Sequence, residues 1–448
     1  MAGPLTAQQR ISRWYGWMAV AMLWWVCFFN YADRQAMSSL LPLLQRNFGF
    51  DAVELGWIGS AFAWVYAAMA PVAGLAADRF SRKALILTAC IVWSFFTLAT
   101  SWCGGFAALV AIRALTGLGE AFYFPAAMSL ISDYHGARTR SRAMAWHQSA
   151  VYAGTILGSW VAATLAERFG WRVPFYFFGP AGILLALMLG RWLRETKRGA
   201  AEEVSLERGS VGAWEKTPAG ADHRAAAWER LSVAETARHL THSPAALLLM
   251  AGFLCANFVA VIFLTWTPQF LVEKFHSSIG AAGLTGTLYI HLASALAVPL
   301  AGGLADRLRR RRPTGRMAVQ AGGLIAGSLF VFLIGYTSSQ ATLLLAMTVF
   351  GACKGFYDSG IFASLYDTIE PRARGAAAGL MNTVGWAGGA LGPLFVGIAT
   401  KYGHQSSKIE NMSRAISSGA IIYLAGAACV LLAMAFTASA GSKIQKVP

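Results

Sequence analysis

Three short runs of ionisable residues sit inside stretches that otherwise carry almost no charge. The first is Arg113-Ala-Leu-Thr-Gly-Leu-Gly-Glu120, within apolar sequence from about Phe106 to Ile131. On a helix Arg113, Gly117 and Glu120 fall at i, i+4 and i+7, so a guanidinium, a bare patch of backbone and a carboxylate share one face. The second is Asn30-Tyr31-Ala32-Asp33-Arg34, whose Asn30, Asp33 and Arg34 form one polar stripe. The third is Lys354-Gly-Phe-Tyr-Asp358, a lysine and an aspartate at i and i+4. Arginine holds a carboxylate bidentately and keeps its charge at any working pH. Burial and a neighbouring guanidinium act on a carboxyl group in opposite senses, which lets it exchange a proton near neutrality. Together these residues suit the joint binding of protons and an organic anion, because either alone leaves uncompensated charge in a low dielectric. The plainer reading of each is an ion pair locking one helix to another. Lys354 and Asp358 fit that reading as well as they fit a site.

The elements that must position these groups are long apolar helices. Hydrophobic residues make up 56% of the 448 and charged residues 13%. Mean hydropathy is +0.50. Soluble domains carry about 25% charged residues, so the chain reads as a polytopic membrane protein. Apolar stretches divide it into twelve spans. A tail over 1–13 precedes six spans in 14–192, a polar segment covers 193–243, six more spans occupy 244–436, and a tail ends the chain at 437–448. The 193–222 part of the polar segment reads as a flexible linker, and 225–242 as an amphipathic helix lying on the membrane surface. A charged stretch buried in a span marks a functional site by default.

The net charge of +16 is a topology signal and no sign of nucleic-acid binding. Of the 37 Lys and Arg, 27 fall in the tails and even-to-odd loops, seven in the opposite loops, and three (Arg34, Arg113 and Lys354) inside spans. The positive-inside rule places both termini in the cytoplasm. The six cysteines lie in apolar stretches at scattered spacings, which argues against a disulfide framework or zinc site. No phosphate-binding loop, metal-ligand cluster or nucleophile elbow occurs, so neither ATP-driven pumping nor catalysis is expected. No cofactor is expected beyond the proton as coupling ion.

An internal repeat organises the whole. Gly74 and Asp78-Arg79 match Gly302 and Asp306-Arg307, 228 residues on. Glu120, Phe122, Tyr123, Asp133, Arg138, Arg140, Gly154, Leu157 and Gly158 match residues 234 positions later, beginning with Lys354. Repeated halves with a binding site between them are a transporter architecture. Gly154 and Gly158 make a small-residue seam for close helix packing. Asp78 and Asp306 stand at helix ends where a carboxylate can pair with a neighbouring helix N-terminus as a gate, while the basic residues of Arg79–Lys83 anchor a tight loop.

On Gly74–Lys83 and its degraded second copy Gly302–Arg311, the chain resembles the major facilitator superfamily over essentially its whole length. Asn30–Arg34 and Arg113–Glu120 resemble its anion:cation symporter branch, which includes bacterial proton-coupled carriers of galactonate, glucarate and hexuronates. Spinster lysolipid carriers are the close rival, with a similar Asp-Arg and Gly-Glu-Ala. The resemblance implies twelve transmembrane helices in two pseudo-symmetric six-helix bundles, with both termini cytoplasmic. It implies proton-coupled, alternating-access symport of a sugar acid by a monomer in a bacterial inner membrane. It assigns proton coupling to Asp33, Glu120 and Arg113, and substrate binding to Arg34, Tyr31, Asn30, Tyr66, Gln148 and Asn382. Gly74, Asp78, Arg79, Asp306 and Arg307 become gate residues. Lys354 and Asp358 depart from the branch pattern and join the candidate substrate site on chemistry alone. His147 and His291 read either as proton relays or as packing, and Trp266 and Trp386 either as sugar-stacking faces or as core. A non-transporting membrane sensor on the same fold is the third reading; it would require the 193–243 segment to engage a partner.

Overall fold

The computed structural model describes residues 13–136, 139–198, 235, 240–241, 243–370 and 374–444. Arg138 and Arg372 of the repeat lie outside the described residues. So do the tail before Arg13 and all of the expected 225–242 surface helix except Glu235, Leu240 and Thr241.

The described residues form helices and no strands. The amino-terminal half contains α1 (Arg13–Ser39), α2 (Leu41–Phe48), α3 (Ala52–Arg79), α4 (Arg82–Thr100), α5 (Phe106–Ala121), α6 (Tyr123–Tyr134), α7 (Arg140–Phe169) and α8 (Val173–Trp192). The carboxy-terminal half contains α9 (Pro244–Phe275), α10 (Ile279–Arg311), α11 (Gly315–Tyr336), α12 (Gln340–Asp358), α13 (Ile361–Thr368), α14 (Arg374–Tyr402) and α15 (Lys408–Ile444). With α5–α6 and α12–α13 each taken as one broken helix, and α2 as a short helix between α1 and α3, each half has six long helices.

Ten of these are long and apolar enough to cross a membrane by themselves. The other two, α1 and α12, are the helices that carry Asp33–Arg34 and Lys354–Asp358. Charge lowers their hydropathy, as do the four tryptophans of α1, which score as mildly polar although they suit a membrane interface.

Local sequence explains where helices start and stop. Asp51 caps α3 in a reciprocal box with Glu54, and the hydroxyls of Ser81, Ser243, Ser278 and Ser339 cap α4, α9, α10 and α12. Gly49, at φ 70°, turns the chain out of α2. Pro125 has no amide for the Ala121 carbonyl and crowds it, which separates α5 from α6 at Phe122, two residues after Glu120.

Glycines set the closest crossings, and they do so twice. A Cβ at Gly154 or Gly158 would overlap Phe28 and Ala32 of α1; at Gly388 and Gly392 it would overlap Leu254 and Phe258 of α9. Likewise Gly117 meets Phe62, and Gly351 meets Ile290. The repeat seen in sequence is therefore a repeat of helix contacts. It extends to ion pairs: Arg82 binds Asp133, and Arg316 binds Asp367 at 3.0 Å, both partners 234 residues on. Arg82 is not the surface anchor its loop position suggests. It is 1% exposed, because Asp133, Glu195 and the Thr196 carbonyl surround its guanidinium. This contact folds Leu193–Arg198, the start of the connecting segment, back onto the ends of α3 and α4. Burial pushes the Glu195 carboxyl up, but the Ser81 hydroxyl, the Lys83 amide and Arg82 outweigh it and hold the group below its usual range.

The halves meet unevenly. At the end carrying the α1–α3, α7–α8, α9–α10 and α14–α15 connections they are bonded together. Gln35 donates to the Leu264 carbonyl at 2.7 Å, Ser159 to the Gly283 carbonyl at 2.6 Å, and Lys401 to Asp51 at 2.6 Å. Glu167 of α7 accepts the Ile279 and Gly280 amides at 3.3 and 2.9 Å, so one half caps a helix of the other. At the opposite, basic end, a Cβ on Gly74, Gly302, Gly303 or Gly379 would meet open space. The Asp78 and Asp306 side chains there are 53% and 62% exposed. The protein is thus closed at one end and open at the basic end.

Candidate functional site

The site is built around Arg34, on α1 where α3, α5 and α14 converge. Its Nε and Nη2 donate to a single oxygen, Oε2, of Glu120 at 3.0 and 2.5 Å, and Nη2 also reaches Asn30 Oδ1 at 3.3 Å. The guanidinium carbon lies 4.5 Å from the Tyr31 ring centre, 4.4 Å from Phe62, 5.3 Å from Tyr66 and 5.1 Å from Trp386. Four aromatic faces therefore enclose one cation, three from the amino-terminal half and one from the other. Tyr66 and Trp386 touch across the halves, with centroids 4.8 Å apart. The close approach of α5 to α3 at Gly117 brings Glu120 to Arg34; a side chain there would push the helices apart.

Several polar atoms in this cluster are buried and lack a hydrogen-bond partner: Arg34 Nη1, Glu120 Oε1, Asn30 Nδ2, Asp33 Oδ1 and Arg113 Nε. Leaving such groups unmatched is costly. The arrangement has unused donor capacity on the guanidinium and a free carboxylate oxygen beside it, as a site exchanging an internal anion for an external one requires.

The other predicted residues fall into three groups. Near the cluster, Asp33 is 5% exposed and accepts from Thr97 of α4 at 3.1 Å, while Arg113 is 5% exposed with its guanidinium 5.0 Å from the Phe62 ring. Both are buried inside the amino-terminal half. Gln148 is exposed, and Asn382 and Trp386 are half-buried. In the carboxy-terminal half, Lys354 and Asp358 bind each other, with side chains 18% and 31% exposed. His291 lies beside Tyr152 across the halves, with ring centres 6.2 Å apart and the planes tilted by 51°.

The third group is packing. His147 is fully buried and hydrogen-bonded to the Tyr123 hydroxyl at 2.7 Å, which also donates to the Leu23 carbonyl. Trp266 is fully buried, donating to the Pro393 carbonyl at 3.0 Å. Neither residue joins the Arg34 cluster, and His147 Nδ1 is buried without a hydrogen-bond partner. At the open end Asp306 accepts from Arg316 at 2.8 Å and Asp78 lies 4.0 Å from Arg198, while Arg79 and Arg307 are exposed. Phe62, Thr97, Gln35 and Glu167 did not stand out in the sequence. An aromatic or hydroxyl group on a membrane helix has no distinguishing pattern, and a gate glutamine or glutamate resembles any loop-end polar residue.

Comparison with known proteins gives consistent results. Residues 23–393 match the family model described as the Major Facilitator Superfamily. The chain is 30% identical over 395 residues to "Probable galactarate/D-glucarate transporter GudP" of Bacillus subtilis, covering 85% of each. It is 23% identical to the "Hexuronate transporter" of the same organism, over 82% of this chain and 84% of that one. Among solved structures, a bacterial homologue of the human lysosomal transporter Spinster, inward-facing and unoccupied, superposes with a TM-score of 0.80 at 21% identity. That match covers 95% of this chain and 98% of the other. A D-xylose–proton symporter gives a TM-score of 0.70 at 16% identity over 95% and 97%.

Proposed function

The chain belongs to the major facilitator superfamily, as a multi-pass membrane transporter, and on that premise we propose that it carries small organic anions, sugar acids foremost, by proton-coupled symport across a bacterial inner membrane. The observation that carries this reading is the Arg34–Glu120 pair inside a four-ring aromatic enclosure at the junction of the halves. An arginine already held by an internal carboxylate binds an external one only when the internal charge is neutralised. Protonation of Glu120 releases Arg34, the substrate carboxylate takes its place, and the aromatic faces supply surfaces for the carbon chain of a sugar acid. Asp33, held by Thr97 on the other side of α1, supplies a second proton-binding carboxyl within the same half.

Relatives over most of the chain include carriers named for galactarate, glucarate and hexuronates, which supports an acidic sugar as cargo. With both termini cytoplasmic, as the basic loops indicate, the open end faces the cytoplasm and the conformation is inward-facing. The Spinster homologue shares the fold, and at 21% identity that likeness says nothing of cargo. A guanidinium at the centre suits an anion rather than a lipid tail.

The test is uptake in proteoliposomes holding the purified protein, acidified outside. Galactarate, glucarate or a hexuronate should accumulate, and a protonophore should abolish accumulation while leaving exchange of labelled for unlabelled substrate. Uptake of lysophospholipid without uptake of any sugar acid would refute the reading.

A further inference from the structure

The two contacts between the halves at the level of the site are mates under the internal repeat. On one side Trp386 of α14 touches Phe62 and Tyr66 of α3. Shifting each residue by its own repeat offset gives Tyr152 of α7 facing Ile290 and Ser294 of α10. Tyr152 does meet the His291 ring there, tilted by 51°, and lies beside Ser294. The Arg34 enclosure thus has a counterpart across the pseudo-twofold, with different chemistry. Ala260 stands where Arg34 would, and the cation sits on the other helix: Lys354 replaces Glu120.

Three observations indicate that this counterpart binds a ligand. Ser294 is fully buried, and its hydroxyl faces the Tyr152 hydroxyl across the junction of the halves. Gly351 and Gly355 bring α12 hard against the α10 backbone at Ile290 and Ser294, and Lys354 between them lies near Tyr152 and His291. The Lys354 and Asp358 side chains keep 18% and 31% of their surface accessible, against none for Glu120, so solvent reaches the pair. The lysine is neutralised by an acid one turn away on its own helix, as Arg34 is neutralised by Glu120.

We propose that Lys354, with Ser294 and Tyr152, forms a second anion subsite, so that the transported substrate is a dianion with an acidic group at each end. One end replaces Glu120 on Arg34 in the amino-terminal half, and the other replaces Asp358 on Lys354 in the carboxy-terminal half. Such a substrate bridges the halves and contributes to both when they close around it. A sugar acid with one carboxylate leaves the Lys354–Asp358 pair in place and gains nothing there. This inference rests on the organic-anion reading above and narrows it to two-ended acids, with aldarates as the direct case.

The experiment compares pairs that differ only at one terminus: glucarate with gluconate, and galactarate with galactonate. Affinities are measured by tryptophan quenching on the purified full-length chain. The wild-type protein should bind each dicarboxylate at least about tenfold more tightly than its monocarboxylate partner, a difference of about 1.4 kcal/mol. Lys354→Gln should remove that preference by weakening the dicarboxylate alone, Ser294→Ala should reduce it, and Lys354→Arg should keep most of it. Gel filtration and melting temperature establish that each variant is folded. If Lys354→Gln does not fold, the wild-type preference together with Ser294→Ala and Lys354→Arg carries the test. Equal affinity of the wild type for both members of a pair overturns the second subsite and leaves anion transport standing, as does equal weakening of both by Lys354→Gln. Binding of none of the four acids overturns the second subsite, and failure to bind a hexuronate as well overturns both.

Discussion

Replacing Glu120 by glutamine keeps the shape of the side chain and removes its charge, so it fixes the site in the form that protonation would produce. In the wild-type protein Oε2 accepts two donors of Arg34. An incoming carboxylate must displace a charge-assisted pair, of which each hydrogen bond is worth roughly 1.5–3 kcal/mol. Neutralising Glu120 removes that competitor. Linked to one proton, anion binding should weaken by about tenfold, or about 1.4 kcal/mol, for each pH unit above the titration of the pair. Over two such units the affinity should fall roughly a hundredfold. In Glu120→Gln the part of the slope due to this proton should vanish and affinity at neutral pH should rise toward the tight, acidic limit, because Arg34 retains Asn30 and its aromatic enclosure but loses its Glu120 anion. Affinity can be followed through Trp386, 5.1 Å from the guanidinium, by fluorescence titration at a series of pH values. In proteoliposomes the same variant should exchange substrate yet fail to concentrate it. A Glu120→Gln protein that keeps the wild-type pH slope, or that still accumulates substrate under a proton gradient, would show that Glu120 is not the group whose proton is exchanged.

Two further predictions concern the frame around the site. Burial pushes the Asp51 carboxyl up, but Lys401 and the Val53 and Glu54 amides outweigh it and hold the group below the usual carboxylate range. The ion pair to Lys401 is therefore complete at neutral pH and is lost only as pH falls through that lowered value. Asp51→Asn should thus act at neutral pH, and Asp51→Asn with Glu167→Gln should shift the population toward the conformation open at the bonded end. Half-exposed pairs are worth about 0.2–1 kcal/mol, so the Asp51 change alone should alter the ratio by no more than about fivefold. Distances between spin labels at that end report the shift, and an unchanged distribution in the double variant would remove these residues from the gate. Separately, Gly158→Val places carbon against the backbone of Ala32 and should cost about 1–3 kcal/mol, whereas Gly74→Ala enters open space and should leave the melting temperature unchanged in this conformation. If Gly158→Val melts with the wild type, the α1–α7 crossing is misplaced.

How much was legible in the sequence depended on whether a residue type is costly where it stands. Arg34, Glu120 and Lys354 were conspicuous because a charge in an apolar run needs a reason, and each has a partner. The repeat was legible because glycines at close crossings admit no side chain, so Gly154 and Gly158 recur as Gly388 and Gly392. Phe62 was invisible although it faces both Arg34 and Arg113, since a phenylalanine is equally at home against lipid. Trp266 and His147 could not be resolved by periodicity, because a helix lining a central cleft is buried on the faces toward the cleft and toward its own bundle alike. Arg82 misled for the opposite reason. Its neighbours in sequence mark a surface loop, while the partners that bury it, Asp133 and Glu195, come from distant positions.

The distribution of contact strengths is itself a functional property. Within each half the packing depends on glycine-mediated backbone contact and on ion pairs such as Arg82–Asp133, where removing one buried partner costs about 3–5 kcal/mol. Between the halves, at the closed end, the polar contacts are single hydrogen bonds and partly exposed pairs: Gln35 to Leu264, Ser159 to Gly283, Glu167 to two amides, Lys401 to Asp51. The neutral hydrogen bonds are worth about 0.5–1.5 kcal/mol each net, the exposed Lys401–Asp51 pair less, and each has water as an alternative partner when the end opens. Backbone also meets backbone between the halves at this end, Gly397 on Ala52 and Gly283 on Ser159, so the closed end combines close packing with exchangeable polar contacts. A substrate that binds both can then tip the balance with a few kilocalories per mole, since inverting a 1:99 ratio takes about 5.5 kcal/mol of differential binding. Strengthening the closed end would therefore slow transport even as it raised the melting temperature.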